Sequence, residues 1–196
     1  MRSKKDSIAL FGTSADPPTL GHQALLKDLA TSFPKVITWA SDNPDKNHGI
    51  SLRKRSQLLR TLVKEISHPQ LKVVQDLSSP WTINTLIKAN KVWPNANFIF
   101  VIGSDLAEQV PKWVNAKSIL QRANLGITIR DGWPINEHQL KEIEKLGGKV
   151  EVLPFKIPAS SSSSFRDSPQ ETLIPKSILS ILLKENLYGI STGKKK

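Results

Sequence analysis

Cysteine is absent from the 196 residues, which excludes disulfides, thiolate zinc sites and a cysteine nucleophile, and is compatible with a reducing compartment. Long apolar runs are absent as well. The longest, FIFVI (Phe98 to Ile102) and ILSILL (Ile178 to Leu183), fall far short of the about 20 residues that a membrane-spanning helix needs. The N-terminus MRSKKDSIALFG starts basic, but its apolar stretch of Ile8 to Phe11 is too short for a secretory signal. A soluble, cytoplasmic protein with no membrane partner is the expectation. Two nucleotide fingerprints are missing too: the chain contains neither GxxxxGK[ST] nor GxGxxG. No convincing linker and no internal repeat divides it. One domain is expected, folded over about residues 7–189, with a basic, disordered tail over 190–196 that ends in Lys194, Lys195 and Lys196.

What is plentiful is positive charge. Lys and Arg number 28 against 17 Asp and Glu, a formal net charge of +11, and such a field attracts polyanions, whether nucleic acid or phosphorylated small molecules. Hydrophobic residues at 38% suffice for a globular core.

Short apolar runs alternate with amphipathic ones. SIALF (Ser7 to Phe11), KVITWA (Lys35 to Ala40), LKVV (Leu71 to Val74), NFIFVI (Asn97 to Ile102), LGITI (Leu125 to Ile129) and KVEVL (Lys149 to Leu153) read as strands, several too uniformly apolar for a half-exposed sheet. Between them GHQALLKDLATSF, SLRKRSQLLRTLVKEI, TINTLIKANKVW and NEHQLKEIEKLG carry apolar residues at helical spacing. In the second of these, Leu52, Leu59, Leu62, Val63 and Ile66 share one face, leaving Arg53, Lys54, Arg60 and Lys64 mostly to solvent. The alternation predicts an α/β, Rossmann-like doubly wound, mostly parallel sheet. A C-terminal helical extension follows in PKSILSILLKENLYG, with Pro175 in the first turn and Gly189 as a stop.

In open α/β sheets ligands bind beyond the carboxyl ends of the strands. The segment FGTSADPPTLGHQALL (Phe11 to Leu26) joins the first strand to the first helix. Gly12 allows close backbone approach, Pro17 and Pro18 stiffen the loop, and Gly21 and His22 open a helix whose free N–H groups favour phosphate. In TxGH, Thr19 and His22 are placed to donate hydrogen bonds to one phosphoryl group; the alternative is that Thr19 caps the helix and His22 merely lies on its first turn. Asp105, in GSD after a buried strand, suits ribose hydroxyls, with Gly103 admitting the ligand; a helix cap is the alternative. Arg130, after the fifth strand, is a phosphate candidate or an ordinary surface arginine. The five consecutive serines Ser160 to Ser164 read by composition as a linker, although no glycine accompanies them.

These segments together resemble a known family. GTSADPPTLGH is similar to the GGTFDPxHxGH signature of the nucleotidylyltransferase superfamily, with Thr13 at the second glycine, Ala15 at the phenylalanine and Thr19 at the first histidine. NPDK (Asn43 to Lys46) resembles its lysine-bearing loop after the second strand, without the usual PHK order. SSPWTINTL resembles SYTxDTL, FVIGSDLAEQVPKW resembles FIIGADxLxxLPxW, SSSSFR (Ser161 to Arg166) resembles SSTxIR, and IPKSILSILLKENLYG resembles VPxxVxxYIxxxxLY. The matches run in order from Ile8 to Tyr188, and the combination is that of the bacterial nicotinate-nucleotide adenylyltransferases.

That resemblance implies transfer of AMP from ATP to nicotinate mononucleotide, with Mg²⁺ carried mainly by phosphate oxygens and no metal-ligating residue assigned. His22 and Thr19 would contact the ATP phosphates, and Arg166 would clamp the leaving phosphates, its alternative being an ion pair with Asp167 or another acid. Lys46 would add charge, or remain a solvated loop lysine. Gly12, Thr13, Ser14, Asp16 and Gly21 fall to ATP, Asp16 more as a brace than as an acid or base. So do Gly103, Asp105, Ser161, Ser162 and Ser163, with Ser160 and Ser164 as spacers. Trp81, Thr82, Trp113 and Arg130 would serve the acceptor, although tryptophans also pack cores and rims. A homo-oligomer fits the same picture. The alternatives are a related enzyme acting on nicotinamide mononucleotide or another phosphorylated acceptor, and a non-catalytic basic nucleic-acid-binding module. The latter lacks RNP-type aromatics, helix-turn-helix patterning and zinc ligands, so nucleic acid is not an expected partner.

Overall fold

The structure, a computed structural model, describes residues 6–190 apart from 45, 156 and 159. Six strands form one sheet: β1 (Ser7–Thr13), β2 (Lys35–Ala40), β3 (Leu71–Val73), β4 (Asn97–Gly103), β5 (Ala123–Thr128) and β6 (Val150–Leu153). Their order is β3-β2-β1-β4-β5-β6 and every pairing is parallel. The sheet is thus wholly parallel, as the near-continuous burial of β1, β2 and β4 requires. The chain winds outward from β1 through β2 and β3, then returns to add β4, β5 and β6 on the other side. This reversal opens a crevice at the carboxyl ends of β1 and β4.

Among the described residues seven α-helices cover the two faces. Helices α1 (Leu20–Ser32), α2 (Leu52–Ile66), α6 (Ser162–Asp167) and α7 (Lys176–Lys184) pack on Ala9, Phe11, Val36, Ile99 and Val101. Helices α3 (Thr82–Val92), α4 (Ala116–Arg122) and α5 (Glu137–Lys145) pack on Ile8, Leu10, Ile37, Phe98 and Phe100. Adjacent strand residues alternate between the two clusters, as the period of two demands. Short α4 and the 3-10 helical stretch Ser104–Lys112 lie outside the helices expected from periodicity. Seven residues make too few turns to display a stripe.

Local chemistry sets the helix ends. Ser51 accepts the Lys54 N–H at the start of α2 and left-handed Ser67 closes it. Asn136 and Gln139 form a capping box on α5. The C-terminal helix stops at Lys184 rather than Gly189, because Asn186 turns left-handed at φ 49°. Ile190, expected in the tail, is buried in the first cluster; 191–196 lie outside the described residues. Among the described residues no helix is long and apolar enough to cross a membrane.

Candidate active site

A cleft of about 820 Å³ opens where β1, β4 and β5 end, lined from Gly12, Thr13 and Ser14 on one side to Gly103, Asp105 and Arg130 on the other. Its wall takes in nearly every residue singled out from the sequence, including His22, Lys46, Trp81, Thr82, Trp113, the serines and Arg166. Thr19 and Asp16 stand behind it.

The β1–α1 loop is held by its own buried groups. Ala15 sits at φ 48°, a left-handed conformation that a non-glycine residue adopts only when its surroundings impose it. What imposes it is Asp16, 0% exposed. Its Oδ2 accepts the Gly49 N–H at 2.8 Å and its Oδ1 accepts the Tyr188 hydroxyl at 2.6 Å. Arg166 Nη1 donates to the Asp16 carbonyl at 2.7 Å and lies 3.3 Å from Oδ2. Asp16 is therefore a brace that touches no ligand space, and Arg166 pairs with it rather than with Asp167. Gly12 is glycine because a Cβ there would lie 2.7 Å from the ring of buried Trp39.

Thr19 is a correction to the expectation of direct phosphate contact. It is fully buried, with its hydroxyl 2.9 Å from the Ser160 carbonyl, to which it can donate, and 2.8 Å from His22 Nδ1. Its backbone N–H donates to Nδ1 at 3.1 Å. Nδ1 is thus an acceptor, and the network assigns the imidazole proton to Nε2. Burial first, then the positive charges of Arg130 and Lys46, lower the His22 pKa to about 4. At neutral pH the ring is an uncharged N–H donor on the cleft wall.

The serine run is also reassigned. Ser160, taken as a spacer, accepts the Gly21 N–H at 2.6 Å, and a Cβ at Gly21 would strike its carbonyl at 2.7 Å. Ser162 is buried, donates to the Pro17 carbonyl at 2.8 Å and accepts the Asp16 N–H at 3.4 Å, so its hydroxyl is spent on the first loop. Ser161 caps α6, accepting the Ser164 N–H. Ser163 stays exposed on the cleft wall.

Across the cleft, Arg130 Nη1 reaches Asp105 Oδ2 at 2.6 Å, so two candidate residues are joined as an ion pair over Gly103. Asp105 Oδ1 is buried with no partner. Exposed Lys46 stands at the rim. Trp113 packs edge-on against Phe100 at 6.2 Å, and Phe100 meets Trp39 at 6.3 Å. Trp81, 46% exposed, precedes α3 with Thr82 at its first turn. Trp133, 57% exposed, closes the rim on a turn in which Ser104 Oγ accepts the Arg130 N–H and donates to the Trp133 carbonyl.

Several of these residues were not foreseen. Arg55 is 1% exposed and donates to the carbonyls of Ser14 and Ser41 at 2.7 and 2.8 Å, tying together the loops after β1 and β2. Its signal was available: it lies four and seven residues before Leu59 and Leu62, a charge on the apolar face of α2. Trp39, Trp133, Tyr188 and His48, whose Nδ1 lies 3.5 Å from Asp16 Oδ2, carried no such signal in the spacing.

The comparisons agree with this geometry. The profile of the Cytidylyltransferase-like family matches residues 10–192. A Synechocystis sequence named "Probable nicotinate-nucleotide adenylyltransferase" is 35% identical over 196 positions, covering 92% of this chain and 98% of that one. One of the same name from Leptospira interrogans is 30% identical, covering 92% and 96%. The fold resembles that of Plasmodium falciparum nicotinic acid mononucleotide adenylyltransferase complexed with NaAD, with a TM-score of 0.79, 20% identity, and coverage of 96% of this chain and 100% of that one. A neutral histidine on the wall of the β1–β4 crevice and near full-length sequence matches lead to one assignment: this chain belongs to the Cytidylyltransferase-like family, among its nicotinate-nucleotide adenylyltransferases.

Proposed function

We propose that the chain, working as one nucleotidylyltransferase domain in the cytoplasm, transfers AMP from ATP to nicotinate mononucleotide, giving nicotinate adenine dinucleotide and pyrophosphate in NAD synthesis. The observation that carries this reading is the neutral His22 with its Nε2–H on the cleft wall, flanked by Arg130, Lys46 and Arg166. An oxygen of the acceptor phosphate attacks the α-phosphorus of ATP in line, the bond to the β-phosphate bridging oxygen breaks, and pyrophosphate leaves with that electron pair. The acceptor phosphate is already an anion at neutral pH, so no general base is required. The protein aligns two repelling anions and donates to the equatorial oxygens as their charge grows.

Arg166 serves the leaving phosphates with a planar fork. Asp105 serves a ribose once Arg130 turns to phosphate; its Oδ1, without a hydrogen-bond partner, is the oxygen left to accept a ribose hydroxyl. Trp113 and Trp81 offer ring faces to the pyridine. The first-turn N–H groups of α3 suit a carboxylate better than an amide, which favours the acid over nicotinamide mononucleotide. Among the described residues no group of three or more acidic or histidine side chains could hold a metal, and Asp16 is saturated. Mg²⁺ would arrive on the triphosphate, held mainly by its oxygens, and would neutralise phosphate charge there, while Arg130, Arg166 and Lys46 face the remaining anionic oxygens. Pyrophosphate release with ATP and Mg²⁺ should be highest for nicotinate mononucleotide, lower for nicotinamide mononucleotide and absent for phosphopantetheine. No release with either pyridine nucleotide would sink the reading.

A further inference from the structure

Tyr188 is the chain's one tyrosine, and it is held in an unfavourable conformation. Its φ is 57°, two residues after Asn186 at φ 49°. Strained non-glycine backbone persists where surrounding contacts over-determine it, often next to a functional site. Here the contacts are the Phe165 ring, edge-on at 6.0 Å, and the 2.6 Å hydrogen bond to Asp16 Oδ1. The ring also fills the space beside Gly49, where a Cβ would lie 2.8 Å from Tyr188 Cε1 and 3.4 Å from Arg166 Cδ.

Asp16 gathers four distant segments: its own loop, Gly49 after β2, Arg166 on α6 and Tyr188 at the end of the chain. Of these groups only Arg166 extends onto the cleft wall as a cation. The Tyr188 hydroxyl occupies Oδ1 and leaves Oδ2 to Gly49, Arg166 and, at 3.5 Å, His48 Nδ1, fixing both the carboxylate plane and the direction from which the guanidinium approaches. We infer that Tyr188 is a positioning residue for the transfer: through Asp16, its hydroxyl fixes Arg166 toward the triphosphate. This rests on reading Arg166 as a phosphate contact.

The test is Tyr188→Phe, which keeps the ring against Phe165 and removes the donor alone. Calorimetric titration of ATP with Mg²⁺, without acceptor, should show affinity weakened about five- to tenfold, which lies within the coupling that directly interacting neighbours show. The KM for nicotinate mononucleotide should stay within about twofold, since distant sites behave independently. Arg166→Ala should weaken ATP binding by itself, and adding Tyr188→Phe to it should cost little more. A folded Tyr188→Phe protein with unchanged ATP affinity overturns the inference. So does a loss undiminished in the Arg166→Ala background, an equal loss on both substrates, or an Arg166→Ala protein that binds ATP normally. If Tyr188→Phe does not fold, Gly49→Ala displaces the same ring, and the same ATP-selective loss is expected, with unchanged affinity again overturning it. Because the ATP titration needs no acceptor, failure of the proposed reaction would leave this result readable.

Discussion

A neutral imidazole can donate to phosphate only through the nitrogen that carries its proton. In this chain a backbone N–H decides which one, since the Thr19 amide occupies Nδ1 of His22. Replacing His22 with Ala should lower kcat about 100- to 1000-fold, the usual cost of one preorganised donor, and lower Tm modestly, because the buried Thr19 N–H loses its acceptor. Because its pKa is lowered to about 4 from an ordinary value of about 6.5, His22 should not contribute a limb near neutrality to the pH–rate profile. NMR of its ring protons between pH 8 and 5 checks this. The stability consequence has a definite sign. Between pH 6.5 and 4 the unfolded chain binds a proton that the folded chain refuses, so folded stability falls as pH falls through that window. His22→Gln should flatten this part of the curve in denaturant titrations at several pH values. At this scale the sequence was legible where side chains face the cleft, as with His22, Arg166 and Lys46. Asp16 is the brace expected of it, but orientation was illegible: the hydroxyls of Thr19 and Ser162 turn to the Ser160 and Pro17 carbonyls, and no spacing distinguishes a hydroxyl aimed into a cleft from one aimed away from it.

Elements were read well where periodicity had length to express itself. β2 has its expected bounds and α1, α2 and α3 lie within a residue of theirs. The serine run shows the opposite case. Composition suggested a loose connector, yet Ser160 locks the start of α1 through Gly21, and Ser162 locks the loop before it. A helix start and a segment 139 residues away are thus fitted face to face, which nothing local could announce. Gly21→Ala tests the fit. Its Cβ would press on the Ser160 carbonyl at 2.7 Å, a rigid backbone atom, so the two elements must separate. Turnover should fall at least about tenfold, because displacing catalytic groups by about 1 Å can cost 100-fold, while far-UV circular dichroism stays that of a folded protein.

For the molecule as a whole, alternation of strand and helix was enough to foresee the Rossmann-like sheet, and the β1–β4 crevice followed from its winding order. The basic excess also belongs to this scale. A net charge of +11 draws in two anionic substrates over distances that salt shortens, the screening length being about 10 Å at 0.1 M. Raising NaCl from 0.05 to 0.5 M should therefore raise both KM values several-fold and leave kcat at saturation nearly constant, as initial-rate measurements can establish. One further property comes from where the fold puts its tryptophans. Of the five in the chain, Trp39, Trp81, Trp113 and Trp133 border the cleft, while Trp93 lies apart beneath Lys35. The intrinsic emission of this protein is consequently dominated by indoles that a bound nucleotide would shield or stack upon, so the site carries its own optical readout and occupancy can be followed in real time without a label.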